Sequence, residues 1–191
     1  MKKTMTLQDA QALIVKYLTT PALRLHSRET EVIMRKLAAH LGEDVDFWGI
    51  TGLLHDLDLD VIGGAMETHG VKTVALLREE GYEMPEMFQA ILSHTEGLAP
   101  DRPARQSRLD FALSAAENLT GIISAYVLVR PGQKIEGAKV KSVTKKLKDK
   151  SFAASVNRAF IDDIEKAGVD RPTLIQLGLE AMGEIADELG M

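Results

Sequence analysis

The stretch Ile50–Asp56 reads ITGLLHD, an apolar run that ends in the dyad His55-Asp56. The chain contains five histidines, and three of the other four flank the dyad in order: His26, His69 and His94. A carboxylate follows in the segment 115–119, which reads AAENL and contains Glu117. Imidazole and carboxylate groups together suit divalent metal ions such as Mn, Fe, Zn or Co. The ordered series therefore predicts a metal site.

Composition narrows the class of protein. Of the 191 residues, 45% are hydrophobic and 27% are charged, as expected of one globular domain with a large core. The net charge of −5 does not favour nucleic acid as a partner, because binding to its backbone needs a basic surface. No apolar run approaches the roughly 18 residues that span a bilayer, and Lys2 and Lys3 are not followed by the apolar region of a signal peptide. Without cysteine there are no disulfides or thiolate ligands. We expect a cytoplasmic protein without membrane contact.

Apolar periodicity predicts a chain that is almost all helix, because apolar residues recur at three- and four-residue steps in most segments. The helices that we expect after the first one cover residues 21–41, 44–56, 67–80, 85–94, 108–129, 152–167 and 170–189. We find no internal repeat and no convincing domain boundary. The sequence therefore predicts a single all-α domain, with the metal-site motifs in about residues 20–130 and a helical extension over about residues 139–191.

The dyad restricts the geometry of the site. Adjacent residues on a helix diverge by about 100°, so His55 and Asp56 can reach one ion only if the dyad lies near a helix end. The other ligands must come from different helices. They fall in four separate segments: His26, His69, His94 and Glu117. We therefore expect a metal site enclosed between helices.

The order of these residues resembles the HD-domain superfamily of metal-dependent phosphohydrolases, and within it a group of small HD hydrolases. The pattern is a His, then His-Asp, then two further His and a late carboxylate. The resemblance implies an all-α, HD-type helical bundle that encloses the metal site. The metal ligands that it implies are His26, His55, Asp56, His69, His94 and Glu117. The family usually has Asp at the last position, and Glu117 is an oxygen ligand with one more methylene of reach.

The resemblance also implies a reaction. Metal-bound hydroxide would attack the phosphorus of a phosphate ester or anhydride, and we expect a nucleotide-like small molecule as substrate. The cofactor would be one or two divalent ions of Mn, Fe, Zn, Co or Mg, since His69 and His94 mark family members that hold two. Besides Asp56, one of three nearby carboxylates would position water or carry a proton: Asp58, Asp60 or Glu67.

A basic segment, residues 139–150, contains six lysines. One interpretation is a charged face exposed to solvent. The other is that Arg130, Lys141 and Lys145 bind the substrate and neutralise its phosphates through charge-assisted hydrogen bonds. Both interpretations stay open at this point.

Two other functions fit the same residues. Some HD-fold proteins carry a di-iron centre and oxidise a C–H bond with O₂, and the same six ligands serve that chemistry. Glu117, in place of the usual Asp, motivates a second alternative, a catalytically degenerate HD module that binds or regulates. Iron content and O₂ consumption would identify the first alternative. Tight metal retention without turnover would identify the second.

Overall fold

The computed structural model describes all 191 residues, which form ten α-helices and three 3-10 turns. The helices are α1 (Leu7–Tyr17), α2 (Pro21–Leu41), α3 (Val45–Leu54), α4 (Val71–Glu79), α5 (Pro85–His94), α6 (Arg108–Leu128), α7 (Val140–Lys148), α8 (Arg158–Asp162), α9 (Arg171–Glu184) and α10 (Ala186–Leu189). The 3-10 turns cover Met66–Thr68, Pro131–Gln133 and Asp163–Ala167. The chain forms no strand, so the predicted all-α fold is confirmed.

Local sequence sets where the main helices begin. The Thr6 hydroxyl accepts a hydrogen bond from the N–H of Asp9, and the Asp9 carboxylate accepts one from the N–H of Thr6. Ser107 and Asp110 form the same reciprocal pair at the start of α6. Pro21 opens α2, where its missing N–H leaves no helical hydrogen bond unmade. The starts of α2 and α6 agree with the predicted ones, because each depends on residues close in sequence.

Two apolar cores hold the helices together. The larger core contains 27 buried residues and is built mainly from α2, α6, α7 and α9. The smaller core contains 16 buried residues and is built from α1, α3, α4 and α5. Phe47 on α3 packs against both cores. The helices that carry the predicted metal ligands come from both cores, since His26 and Glu117 belong to α2 and α6 whereas His94 belongs to α5.

The sequence suggested no apolar run of spanning length, but helix α6 is long and apolar enough to cross a membrane by length and composition alone. However, 61% of its most apolar 18-residue window is buried inside the protein. Its buried apolar residues belong to the larger core, to which α2, α7 and α9 also contribute. The helix is therefore placed like the central helix of a soluble protein.

One predicted helix, residues 67–80, is wrong in its extent. The segment divides at Gly70 into the turn Met66–Thr68 and helix α4. Gly70 has a φ of +79°, and a Cβ at this position would lie 3.1 Å from the carbonyl oxygen of Ile91. Apolar periodicity continues across Gly70, so it did not reveal the break.

The C-terminal extension also differs from its prediction. Residues 139–150 contain a helix of their own, α7, which buries Val143 and Leu147 in the larger core. The helix predicted over residues 152–167 begins only at Arg158. The Arg158 guanidinium donates hydrogen bonds to several backbone carbonyl oxygens between residues 147 and 156. These bonds hold the preceding residues in turns.

Glycine allows α3 to lie very close to α2. A Cβ at Gly52 would lie 2.9 Å from Cγ of Met34 and 3.0 Å from the carbonyl oxygen of Thr30. Because the Thr30 oxygen belongs to the helix backbone, it cannot move aside as the end of a side chain can. The close crossing matters for the site, because His55 follows Gly52 by three residues and His26 lies one turn before Thr30.

We expect Gly52→Ala to lower the free energy of unfolding by about 1–3 kcal/mol, because the added methyl group overpacks the contact of α3 with α2. Gly183→Ala on α9 is the matched control, since a Cβ there has nothing within 4 Å. In a helix, alanine is favoured over glycine by about 1 kcal/mol. Urea unfolding measures both changes. A Gly52→Ala variant as stable as the wild type would contradict the close packing.

Candidate metal centre

Five of the six predicted metal ligands converge between the helices. They form two groups, and within each group the ligand atoms lie within 4.8 Å of one another. The groups are His26, His55 and Asp56, and Asp56, His69 and His94. Asp56 belongs to both groups. His55 directly follows α3, so the expectation that the dyad lies at a helix end is confirmed.

The Asp56 carboxylate lies at the centre of this cluster. Its Oδ1 is 3.2 Å from Nε2 of His55, 3.3 Å from Nε2 of His69 and 3.5 Å from Nε2 of His94. Its Oδ2 is 3.4 Å from Nε2 of His26. Burial opposes ionisation of Asp56, but the neighbouring imidazoles, His55 above all, hold its pKa well below the usual range. The carboxylate is therefore a negative charge shared by four imidazoles.

Two of the imidazoles are oriented by backbone carbonyls. Nδ1 of His55 lies 2.8 Å from the carbonyl oxygen of Gly52, and Nδ1 of His94 is bonded to the carbonyl oxygen of Ile91. A carbonyl oxygen only accepts hydrogen bonds, so Nδ1 must carry the proton in both rings. Each ring therefore presents Nε2 to the cluster.

The other two imidazoles are oriented by side chains. Nδ1 of His69 lies 2.7 Å from Oδ1 of Asp58. Nδ1 of His26 lies 3.0 Å from the hydroxyl of Thr120. Because this hydroxyl donates its own proton to the carbonyl oxygen of Glu117, it accepts from His26. Partners of this kind fix the tautomer and orientation of metal-binding histidines.

The facing nitrogens show that the residues fit metal ions. Nε2 of His26 and Nε2 of His55 are 3.3 Å apart, and those of His69 and His94 are 3.2 Å apart. With Nδ1 protonated, two neutral rings would point lone pairs at each other, which is unfavourable unless a cation joins them. Two nitrogens bonded to one ion at about 2.1 Å would lie about 3.0–3.4 Å apart. Each group is thus spaced to hold one divalent ion.

Within each facing pair, the pKa of one imidazole is lowered and the pKa of the other is raised. Burial lowers the pKa of His26 to about 4, and it also lowers the pKa of His94. Burial acts in the same direction on His55, but the adjacent Asp56 outweighs it and raises the pKa. Burial is likewise outweighed at His69, where hydrogen bonds to two carboxylates raise the pKa to about 10. Each pair therefore has one ring that favours a proton and one that does not, and a bound ion must displace that proton.

An open cavity of about 770 Å³ leads to the cluster. Asp56, His69, His94 and Glu117 lie in its wall. Burial raises the pKa of Glu117 to about 8, and the Asn118 amide donates a hydrogen bond to its carboxyl group. Glu117, the sixth predicted ligand, shares the cavity with the cluster but lies outside both ligand groups.

Asp58 positions His69, a role that was not predicted from the sequence. Its carboxylate is fully buried and binds the His69 ring through Oδ1. Its Oδ2 accepts hydrogen bonds from the N–H groups of Gly70 at 2.8 Å and Thr73 at 3.1 Å. One carboxylate thus caps the start of α4 and directs His69 into the cluster. Asp58 was predicted as a catalytic group, but it does not line the cavity.

Asp60 and Glu67, also predicted as catalytic, lie outside the cavity wall. The Asp60 carboxylate accepts hydrogen bonds from the backbone N–H groups of Thr20 at 2.8 Å and Thr19 at 2.6 Å, just before α2. Hydrogen bonds from Thr20 and Thr19 lower the pKa of Asp60 to about 2. The Glu67 side chain is exposed. Of the four predicted catalytic carboxylates, Asp56 is the one that lines the cavity.

The predicted phosphate-binding residues also lie outside the cavity wall. The Arg130 guanidinium donates hydrogen bonds to the backbone carbonyl oxygens of residues 134–136, which closes the turn after α6. Lys141 and Lys145 are exposed on α7. None of the three lines the cavity. Their placement favours the interpretation of the basic segment as a charged face exposed to solvent.

Most of the cavity wall was missed by reasoning from the sequence. The residues not identified are Leu59, Met66, Thr95, Glu96, Gly97, Leu98, Ser155, Asn157 and Phe160. Those at 95–98 directly follow His94, so proximity to a predicted ligand was an available signal. Ser155, Asn157 and Phe160 lie far along the chain from every ligand and gave no such signal.

Comparison with known families agrees with this geometry. Residues 24–122, slightly more than half of the chain, match the family described as HD domain. The protein therefore belongs to the HD-domain family, which is part of the superfamily of metal-dependent phosphohydrolases. No match was found among curated proteins or among solved structures. The matched range includes all six predicted ligands.

We expect Asp58→Asn to weaken binding of a divalent ion about 10–100-fold. The amide is a poorer partner for the His69 ring and for the two backbone N–H groups. Asp60→Asn is the matched control, because it makes the same change in the same loop where the carboxylate binds Thr19 and Thr20 instead. It should lower stability and leave metal affinity unchanged. Competition with a chelator measures both affinities, and equal values for Asp58→Asn and wild type would exclude this role of Asp58.

Metal affinity should rise with pH. His69, with a pKa of about 10, keeps its proton across the neutral range, so a bound ion must displace it. The apparent affinity should then rise about tenfold per pH unit for each proton displaced. Titrations with chelator-buffered Mn²⁺ or Zn²⁺ between about pH 6 and pH 8 measure this slope. An affinity that does not change with pH would contradict a protonated His69.

Proposed function

We propose that the protein hydrolyses a phosphate ester or anhydride with divalent ions held by the cluster. The observation that carries this proposal is the presence of two ligand groups that share Asp56, with Asp56, His69 and His94 in the wall of an open cavity. Membership of the HD-domain family supports the same reaction class. In the reaction a water oxygen bonds to phosphorus, the P–O bond to the leaving group breaks, and the leaving oxygen receives a proton.

Each ligand group would hold one ion. His26, His55 and Asp56 would bind the first, and Asp56, His69 and His94 the second. Divalent ions in such sites activate water and withdraw charge from the phosphoryl oxygens. Ligand sets rich in imidazole favour Mn, Fe, Co or Zn, whereas Mg prefers oxygen ligands. Of the ions expected from the sequence, Mg therefore suits this cluster least.

Glu117 would add a carboxylate ligand to the cluster, as the resemblance to the family implies. Its carboxyl group lines the same cavity, and Glu has the reach of one more methylene than the usual Asp. Burial raises its pKa to about 8, which favours the neutral acid unless positive charge lies nearby. A divalent ion supplies that charge, so metal binding and ionisation of Glu117 would support each other.

The protein contributes orientation and burial of the ligands. His55 is 1% exposed, and His69 and His94 are 7% and 6% exposed, so these three rings are largely shielded from bulk water. Electrostatic interactions are stronger in such surroundings than in bulk water. Since each ring is already fixed through Nδ1, little reorganisation is needed when the ligands bind.

Phosphate release tests the proposed reaction. The protein would be loaded in turn with Mn, Fe, Co, Zn and Mg and assayed with p-nitrophenyl phosphate, nucleoside monophosphates and dinucleoside polyphosphates. We expect release of inorganic phosphate with at least one ion. Chelation and Asp56→Asn should both abolish it, because Asp56 belongs to both ligand groups. Full activity of Asp56→Asn would exclude the cluster as the active site.

We expect Glu117→Gln to lower metal affinity by more than the roughly 10–100-fold typical of an outer-shell partner. The amide removes both the negative charge and the carboxylate ligand. Glu117→Asp is the conservative control, because it keeps the charge and restores the family's usual residue, so it should retain more metal and more activity. Elemental analysis and kcat are measured on both variants. Full metal content and unchanged kcat in Glu117→Gln would remove Glu117 from the site.

Measurements of O₂ consumption and metal content, made beside phosphate release, distinguish the two alternative functions. An iron-loaded protein that consumes O₂ and releases no phosphate would be a di-iron oxygenase, since the same ligands serve that chemistry. Retention of two ions without either reaction would identify a binding or regulatory module. Either result would leave the metal centre in place and replace the proposed reaction.

A further inference from the structure

One wall of the cavity comes from outside the matched HD domain. Ser155, Asn157 and Phe160 line the cavity, whereas the match ends at residue 122. Ser155 and Asn157 lie in the turn before α8, and Phe160 lies in α8 itself. The predicted metal ligands all lie within the match. The cavity is therefore built jointly by the HD domain and the C-terminal extension.

Two sets of contacts hold this wall in place. The backbone N–H of Asn157 donates a hydrogen bond of 3.0 Å to Oδ1 of Asn118 on α6. The Arg105 guanidinium lies 3.3 Å from the Asp163 carboxylate and stacks on the ring of Phe160, 3.9 Å from its centroid. Only 6% of the Arg105 side chain is exposed. These contacts fix the extension against the rim of the metal centre.

The lining of the whole cavity offers a substrate polar and aromatic groups but no lysine or arginine side chain. None of the 14 lining residues is Lys or Arg, whereas three are acidic: Asp56, Glu96 and Glu117. Arg105, which holds the wall, lies 3.2 Å from the Glu96 carboxylate and 3.3 Å from the Asp163 carboxylate. Its charge is therefore already paired. The ions of the cluster would be the positive charge that faces a substrate.

Sites for polyphosphates neutralise the outer phosphates with Lys, Arg or backbone N–H groups as well as metal. Here no Lys or Arg lines the cavity to neutralise a phosphate beyond the first. The cavity of about 770 Å³ is nevertheless within the size range of small-molecule sites. The lack of a cationic side chain in its lining, rather than its volume, limits what the cavity can accept.

We propose that the wall of Ser155, Asn157 and Phe160 receives the leaving group and selects phosphate monoesters of uncharged alcohols over polyphosphates. The amide, hydroxyl and ring of these residues match a neutral leaving group that carries hydroxyls. A nucleoside monophosphate belongs to this class, whereas nucleoside triphosphates and dinucleoside tetraphosphates do not. The inference rests on the proposed phosphohydrolase function.

A series of substrates that differ in charge tests the selection. Phosphate release would be measured for one nucleoside as its mono-, di- and triphosphate with the metal-loaded protein. We expect kcat/KM to fall at least about tenfold with each added phosphate, because each adds negative charge that no Lys or Arg in the cavity lining can neutralise. A triphosphate hydrolysed as well as the monophosphate would overturn the selection and leave the proposed function standing.

An added cation should shift the preference. Ser155 is exposed, so Ser155→Lys puts a positive charge in the wall without removing a buried contact. We expect it to raise kcat/KM for the triphosphate relative to the monophosphate at least about fivefold. Ala154→Lys is the matched control, since Ala154 is exposed and does not line the cavity. An equal shift in both variants would mean that the wall does not face the substrate.

Binding provides a readout that needs no turnover. Orthophosphate and tripolyphosphate would be titrated separately into the metal-loaded protein, with metal retention checked by elemental analysis. Tighter binding of orthophosphate supports the inference, and equal or tighter binding of tripolyphosphate overturns it. If no substrate releases phosphate and orthophosphate does not bind, the proposed function itself is excluded, and the inference falls with it.

Discussion

Two pairs of imidazole nitrogens face each other across 3.3 Å and 3.2 Å, and much of the surrounding structure serves to keep them there. Each ring is bonded through Nδ1 to a carbonyl, a hydroxyl or a carboxylate, so each Nε2 presents a lone pair to its partner. Such pairs are stable only with a cation, either a proton or a metal ion. The single carboxylate of Asp56 contacts all four nitrogens and supplies the negative charge that attracts it.

The helices bring these rings together by ending or breaking at the site. α3 ends just before His55, and α5 ends at His94. His69 lies in the break at Gly70, between the turn Met66–Thr68 and α4. Gly52 lets α3 approach α2, which contributes His26. The stability of the two apolar cores therefore maintains a cluster whose charged groups are costly to bury without partners.

The sequence predicted the order of the ligands and the helix that precedes the dyad, because both depend on residues close in the chain or on a family pattern. It could not predict the place of Asp58, whose carboxylate is recognised only through hydrogen bonds to His69 and to the start of α4. Apolar spacing continues past Gly70, so it did not indicate that the predicted helix is interrupted there. The wall around Phe160 was equally hidden, because its link to Arg105 spans more than fifty residues. Contacts between distant segments leave no mark on local periodicity.

Metal content in a set of single-ligand variants tests the central claim most directly. Elemental analysis after loading with Mn or Fe should find about two ions per chain in the wild type. His26→Ala and His94→Ala should each lose one ion, because each removes a ligand from one group. Asp56→Ala should lose both, because Asp56 is shared. A wild type that binds no metal under these conditions, or an Asp56→Ala variant that keeps both ions, would contradict the account.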